Sequence, residues 1–269
     1  LDNAATTKLA QEVADAMVPV LCEVYGNPSS SHAIGRKAKA LVETSRRNIA
    51  KCLGCEPRSI IFTSGGTEAD NLALRAAVKD LGCKRIVTSK AEHSAVIASA
   101  EKMSHLFEVE VVYVNHHPDG MVDCEHLKEI LASGPKTLVS LMHANNEVGV
   151  IQSLEIISKI CRDAGAFFHS DTVQTMGHYP ICLDALDIDF LTCSAHKFHG
   201  PKGTGFLYTH PKNKINSQIV GGGQERGMRS GTENLHGIVG LAAAIDLAYE
   251  HLEEHTSHVR AMKKRMVDG

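Results

Sequence analysis

Ile188-Asp189-Phe190-Leu191-Thr192-Cys193-Ser194-Ala195-His196-Lys197 carries an apolar run straight into a lysine, and Gly200-Pro201-Lys202-Gly203 follows it. A short, almost continuous apolar run bounded by turn residues reads as a strand buried on both faces. Gly-Pro does not continue a helix, so Lys197 is expected in a loop at the strand's mouth. A second strand of the same kind ends in His169-Ser170-Asp171-Thr172-Val173-Gln174, with Asp171 standing 26 residues before Lys197. That separation suits one crossover between neighbouring strands.

Working outward, the region from Glu56 to Tyr208 alternates β-rich runs with helical patterns. The expected strands are Ser59–Thr63, Arg85–Ser89, Val109–Val114, Thr137–Met142, Ala166–Ser170, Asp189–Cys193 and Thr204–Tyr208. Helical windows at Thr67–Lys79, Ser94–His105, Cys124–Leu131 and Ser153–Ala164 separate several of them. Such alternation implies βαβ units and an α/β fold: a mostly parallel seven-stranded sheet covered by helices. Two further helices flank it, Arg36–Leu53 and one starting near Leu235, each with apolar residues at helical period. The expected organisation is an N-terminal helical arm and substrate-side loop (1–30), a large α/β domain (31–250) and the start of a second, smaller domain (251–269). Most of that smaller domain is expected to lie outside this sequence.

The bulk composition is that of a soluble globular protein, with 43% hydrophobic and 22% charged residues and a net charge of −3. This balance offers no electrostatic case for nucleic acid or an anionic membrane surface, and no apolar run reaches bilayer-spanning length. Eight scattered cysteines in a chain of 269 residues read as reduced thiols of an intracellular protein. We therefore expect a cytoplasmic location; residue 1 is Leu rather than Met, which leaves a removed mitochondrial leader open. Cys52-Leu53-Gly54-Cys55 has C-x-x-C spacing but no second pair, and is read as one core thiol and one loop thiol. His196 and His199 lack a third ligand nearby, so no metal site is expected.

In an open parallel sheet, ligands bind beyond the carboxyl ends of the strands. Five polar clusters follow strands in that position: Ser64-Gly65-Gly66-Thr67, Glu92-His93, Ala144 to Glu147, Asp171 with Gln174, and Ser194 to Lys197. Gly65-Gly66-Thr67-Glu68 suits a phosphate cradle at a helix N-terminus, or a plain strand–turn–helix junction with Thr67 as N-cap. His93 has a flat ring able to stack on a planar cofactor and to move a proton. Asn145 is balanced between a site role and capping a turn. Lys197 is backed by an apolar strand, which would desolvate its amine and make it nucleophilic. A lysine for covalent attachment and an acid for a pyridinium nitrogen are what pyridoxal phosphate requires. Finally, Gly221 to Thr232 is glycine-dense and carries Arg226 and Arg229, reading as a flexible loop that presents positive charge to its own site or a partner's.

With these motifs in this order, the chain resembles the cysteine desulfurases and selenocysteine lyases, pyridoxal-phosphate enzymes of the class V, fold type I branch. The resemblance rests on Leu1-Asp2-Asn3-Ala4-Ala5-Thr6-Thr7, Gly26-Asn27-Pro28-Ser29-Ser30, Phe62 to Glu68, Glu92-His93 and Asn145 to Gly149. It continues in His169-x-Asp171-x-x-Gln174, Ser194 to Lys197 and Arg226 to Thr232. It implies that Lys197 carries the cofactor covalently, that Asp171 pairs with the ring nitrogen, and that Gln174 reaches the phenolic oxygen. His93 would stack on the ring, and Asn146 would contact the cofactor. Gly66, Thr67, Ser194 and His196 would hold the phosphate, with Thr232 supplied by the other subunit of a homodimer. Lys197 and His93 are the implied catalytic pair.

The implied substrate is L-cysteine, desulfurated to L-alanine with sulfur passing to an enzyme cysteine, or alternatively L-selenocysteine. A cofactor-binding homologue without sulfur transfer is the third reading, and sulfur-acceptor or scaffold proteins are the implied partners. The family's nucleophilic cysteine and carboxylate-gripping arginine lie beyond the Arg-Ser-Gly-Thr motif, past Gly269. Cys182 and Cys193, placed near the cofactor end, are expected to be packing thiols.

Overall fold

The computed structural model describes residues 2–269, so Leu1 of the first quoted motif lies outside them. The chain opens with α1 (Gln11–Glu23) and α2 (Ala33–Leu53), the latter stopped at Gly54, whose φ of 64° is the left-handed cap that glycine favours. Then come β1 (Ile60–Thr63), α3 (Gly66–Lys79), β2 (Arg85–Thr88), α4 (Ser94–Phe107), β3 (Glu110–Tyr113), α5 (Cys124–Leu131) and β4 (Thr137–Ser140). The remainder is α6 (Leu154–Asp163), β5 (Phe167–Asp171), β6 (Phe190–Ser194), β7 (Gly205–Thr209), α7 (Leu235–Glu250) and α8 (Leu252–Asp268).

The seven strands form one sheet in the order β1-β7-β6-β5-β4-β2-β3. Every pairing is parallel except those of β7, which runs antiparallel between β1 and β6. Since β7 reverses against both neighbours, β1 points the same way as β2 to β6, and the loops after all six gather at one edge.

Strand residues alternate between two cores. Ile60, Phe62, Leu191, Cys193, Phe206 and Tyr208 pack toward α1, α2 and α5 to α7, whereas Ile61, Phe190 and Leu207 pack toward α3 and α4. This two-sided burial is why the strands read as continuous apolar runs. Each fully buried Leu, Ile or Phe contributes about 1.5–3 kcal/mol of hydrophobic stabilisation.

The observed elements depart from expectation in a few places. Ser59 ends a short 3-10 turn begun by Pro57 rather than opening β1. Thr67 is not an N-cap: Gly65 occupies that position, and Glu68 accepts the Ser64 backbone N–H instead. Lys197 closes a single 3-10 turn, Ala195–Lys197, inserted between β6 and the Gly-Pro loop.

The glycine-dense loop is held down rather than free. Arg226 donates to the carbonyls of Arg58 and Ile60, and Arg229 pairs with Glu68 at 2.8 Å. Glu225 is buried in a bidentate ion pair with Arg46, at 2.8 Å on both arms. Both arginines are thus spent on their own chain.

Residues 252–268 continue from α7 as α8 without burying a single side chain. Among the described residues, no helix is long and apolar enough to cross a membrane.

Candidate active site

At the shared carboxyl edge the loops enclose a cleft of about 530 Å³, a size usual for small-molecule sites. Gly66, Thr67, His93, Asn146, Asp171, Gln174, Ser194, His196 and Lys197 all line it. Thr232 does not: it is exposed on a neighbouring depression with Ser64 and Arg229.

β5 and β6 place the two residues that began the reading. They pair in parallel with Asp171 opposite Thr192, so Asp171 ends its strand beside the one that leads to Lys197. Asp171 is buried, and its Oδ1 accepts the Val173 N–H at 2.8 Å. Burial, then the nearby charge of Asp70, pushes its carboxyl up to about 7. The Lys197 amine is half-buried; burial lowers its pKa while Asp171 and Asp2 act the other way. It donates to the carbonyls of Ala4 and Ala5, and Gln174 Nε2 donates to Ala4 at 3.0 Å. The start of the chain therefore forms one wall of the cleft.

His93 caps α4: its Nδ1 accepts the Ala95 N–H at 3.1 Å, leaving Nε2 as the other ring nitrogen. His196 Nδ1 meets the Thr6 hydroxyl at 3.1 Å, and burial lowers its pKa. Asn145 is taken up by its turn, accepting the N–H groups of Glu147 and Val148 and donating to Ala91. Asn146 is the member of the pair that reaches the cleft.

Sequence reading missed one buried group, Asp70, and gave no role to two others that its motifs contain, Glu92 and His169. Asp70 lines the cleft at 1% exposure, and its Oδ1 has no hydrogen-bond partner. Glu92 is buried too, accepting the Met142 N–H at 2.8 Å, and burial raises its carboxyl well above the ordinary range. His169 is a residue of β5, with Nδ1 at 2.8 Å from the Ser140 hydroxyl and Nε2 at 3.1 Å from that of Thr192. His169 Nε2 and Asp70 Oδ1 stand 3.5 Å apart, an ion-pair distance. Burial nevertheless pushes Asp70 up to about 7 and His169 down to about 4, so His169 is neutral near pH 7 and Asp70, raised as far as Asp171, holds a proton increasingly as pH falls below 7. Asp70 was legible in principle, being four residues after Gly66 and so on the same helix face.

The cysteine expectations need one correction. Cys193 is fully buried, but Cys182 is exposed and lies before β6, at the opposite end of the sheet from the cleft, against Asp184. None of the eight cysteines lines the cleft.

These residues suit a pyridoxal phosphate. The first N–H groups of α3 have no intrahelical acceptors and form an anion site. Gly66 keeps that end bare, since a Cβ there would stand 2.8 Å from Val173 Cγ2. An acid and a half-desolvated amine complete the opposite walls.

Comparison with known proteins agrees with the geometry. The family model Aminotransferase class-V matches residues 1–269. The chain belongs to the class-V aminotransferase family. Among curated relatives it is 43% identical to cysteine desulfurase IscS of Dictyoglomus turgidum, over 100% of this chain and 70% of that one. It is 42% identical to the IscS of Neisseria meningitidis serogroup A, over 100% of this chain and 67% of the relative. Among solved structures, a NifS-like protein superposes with a TM-score of 0.95 at 40% identity, covering 99% of this chain and 74% of the other. SspA, solved in complex with cysteine, superposes at 0.86 with 34% identity, covering 91% and 71%. Class-V aminotransferases of this kind depend on pyridoxal phosphate, and that is the cofactor of this protein.

Proposed function

We propose that this class-V protein is a cysteine desulfurase, converting L-cysteine and an enzyme thiol to L-alanine and an enzyme persulfide. The carrying observation is that one cleft gathers nine of the ten residues expected to hold the cofactor, in a chain 43% identical to a desulfurase. In this reading Lys197 holds the cofactor, and the bare N-terminus of α3, with Gly66, Thr67, Ser194 and His196, takes its phosphate. Asp171 faces the ring nitrogen, Gln174 the phenolic oxygen, and His93 and Asn146 the ring. Thr232, exposed and outside the cleft of its own chain, is assigned to the site of a second copy in a homodimer. The acceptors of sulfur are partner proteins, and unpaired cysteines favour the cytoplasm over an oxidising compartment.

The chain's own groups fit the chemistry. Bound pyridoxal phosphate supplies an electron sink for the bond broken at the substrate's α-carbon. Lys197, with its amine free, would be the base for the α-proton, and its lowered pKa favours the free amine that this requires. Asp171, as a carboxylate, keeps the ring nitrogen protonated. His93 Nε2 is open to the cleft for proton transfer near the departing sulfur.

The test is alanine release from L-cysteine by protein loaded with pyridoxal phosphate, with L-selenocysteine assayed alongside. Alanine from cysteine supports the reading, and alanine from selenocysteine alone makes the protein a selenocysteine lyase. Loaded protein that releases none from either refutes it. That result would favour a cofactor-binding homologue.

A further inference from the structure

The cleft holds more buried acid than one ring nitrogen needs. Asp70 and Asp171 each bring a carboxylate oxygen, and His93 a ring nitrogen, to within 4.8 Å of one another. Both acids are buried, at 1% and 5% exposure. The titratable groups around Asp70 are His169 and Asp171 of β5, together with Glu92 and His93 ahead of α4; Thr192 of β6 adds a hydroxyl. Among the described residues lining the cleft, the lysine, Lys197, answers to Asp171 and Asp2. Two carboxylates this close and this buried share a proton, because burial penalises the second charge and each carboxylate repels the other.

The hydrogen bonds decide which of the two carries it. Asp171 Oδ1 accepts the Val173 backbone N–H, a contact that favours its charged form. Asp70 Oδ1 accepts nothing and stands against His169 Nε2 at 3.5 Å; the carboxyl's partner is the Thr192 hydroxyl, which, unlike a backbone N–H, can also accept from a protonated acid. We propose that Asp70 is the protonated member of the pair, a positioning residue whose neutral carboxyl leaves Asp171 the single anion at the cofactor's ring nitrogen. The part concerning the nitrogen rests on the pyridoxal phosphate reading; the position of the proton does not. Burial raises both carboxyls alike, to about 7, and so favours a held proton without choosing its place; it also pushes His169 down, which removes the alternative of an imidazolium–carboxylate pair. Asp70 would thus leave the number of charges at the site unchanged while making the choice of anion unique.

Infrared spectroscopy of protein carrying 13C-labelled aspartate, near neutral pH, reads the proton directly. The expected result is an isotope-shifted carboxylic-acid carbonyl band, present with and without pyridoxal phosphate, lost in Asp70→Asn and kept in Asp171→Asn. A labelled wild-type protein with no acid band, or a band lost in Asp171→Asn and kept in Asp70→Asn, overturns the proposal. Should Asp70→Asn fail to fold, a wild-type spectrum without an acid band still overturns the proposal, and Asp70→Glu, in which the acid band should lose its aspartate isotope shift, assigns the proton when a band is present.

A second arm uses 15N-labelled pyridoxal phosphate and NMR. In Asp70→Asn the ring nitrogen should keep its pyridinium shift, with cofactor affinity within about 3-fold of wild type. In Asp171→Asn the pyridinium shift should be lost, and affinity should fall about 10- to 150-fold, the worth of a charge-assisted hydrogen bond. A nitrogen deprotonated by Asp70→Asn would overturn the assignment, since Asp70 would then be the ring's own partner. Failure of pyridoxal phosphate to bind wild-type protein would sink the cofactor reading alone, and the infrared result would still decide the place of the proton.

Discussion

Replacing Gly205 with alanine tests whether the sheet itself sets the geometry of the cleft. Gly205 is the first residue of β7, paired with Ser194 on one side and Thr63 on the other. It therefore sits between the strand that leads to Lys197 and the strand that leads to the glycine cradle. A Cβ at this position would stand 2.3 Å from the Cys193 carbonyl oxygen and 2.9 Å from Gly65 Cα. Carbon–oxygen contacts between strands normally lie near 3.3–3.6 Å, so the overlap with Cys193 is about 1 Å. Both obstacles are backbone, and no rotamer change relieves them. Overpacking of this kind costs about 1–3 kcal/mol, and a weakened ladder hydrogen bond adds about 1 more. The expected loss is about 2–4 kcal/mol, or about 4–16 °C in Tm at about 2–4 °C per kcal/mol.

Relief must come from moving Gly65 away from β6, which separates the anion site from Lys197. Pyridoxal phosphate affinity should accordingly fall by about tenfold or more. Gly203→Ala is the control: its φ of 73° disfavours a side chain, but nothing lies within 4 Å. Only the left-handed cost of about 1–2 kcal/mol is expected there. Thermal unfolding and cofactor titration of both variants supply the comparison. Gly205→Ala with the stability and affinity of Gly203→Ala would refute the reasoning.

Four further outcomes follow from the same geometry. Lys197→Ala should abolish the borohydride-reducible visible band of the loaded protein and slow α-proton exchange by about 10²–10⁴-fold; a retained reducible band removes Lys197 from its role. Asp171→Asn should bind cofactor more weakly and lose α-proton exchange, and unchanged exchange measured by deuterium incorporation would show that Asp171 does not support the electron sink. Glu225→Ala strands the buried Arg46 guanidinium and should cost about 3–5 kcal/mol in urea denaturation, whereas Arg46→Met with Glu225→Leu should recover most of that loss. Asp70 has a folded pKa raised to about 7, so its stabilising contribution is complete below the unfolded carboxyl value near 4 and is lost as pH rises through 7. In cofactor-free protein, the Tm of Asp70→Asn minus that of wild type should therefore climb between about pH 4 and pH 7 and level off above; a flat difference contradicts the shift.

The layer order of the fold was legible because burial on both sheet faces writes short apolar runs into the strands, as in Phe190-Leu191-Thr192-Cys193 and Phe206-Leu207-Tyr208. Five clusters following five strands then located the cleft, since parallel strands bring their exits to one edge. The antiparallel course of β7 was not legible. Residues 205–209 are as apolar as their parallel neighbours, and only the tight Gly-Pro-x-Gly return from β6 hints at a reversal. The restraint of the glycine-dense loop was equally hidden, because Arg46, Glu68 and Glu225 come from three distant segments and their pairing is a product of the fold.

The buried acids show why motif reading stopped one layer short of the chemistry. A motif names the side chain that touches the ligand; the charge state of that side chain depends on what lies behind it. His169 and Asp171 are two residues apart on β5 and so share a sheet face. Gly66 and Asp70 are four apart on α3 and share a helix face. Crossing these two periodicities is enough to set Asp70 against both His169 and Asp171 once α3 is packed on that side of the sheet, where the core places it. What neither periodicity supplies is dryness. Asp70 would be an ordinary ionised acid on an exposed helix, and burial favours its neutral form because Ala69, Leu72 and Ala73 around it close the helix against the strands and leave its side chain 1% exposed. The apolar packing of α3 therefore settles how many negative charges the cleft offers a ligand.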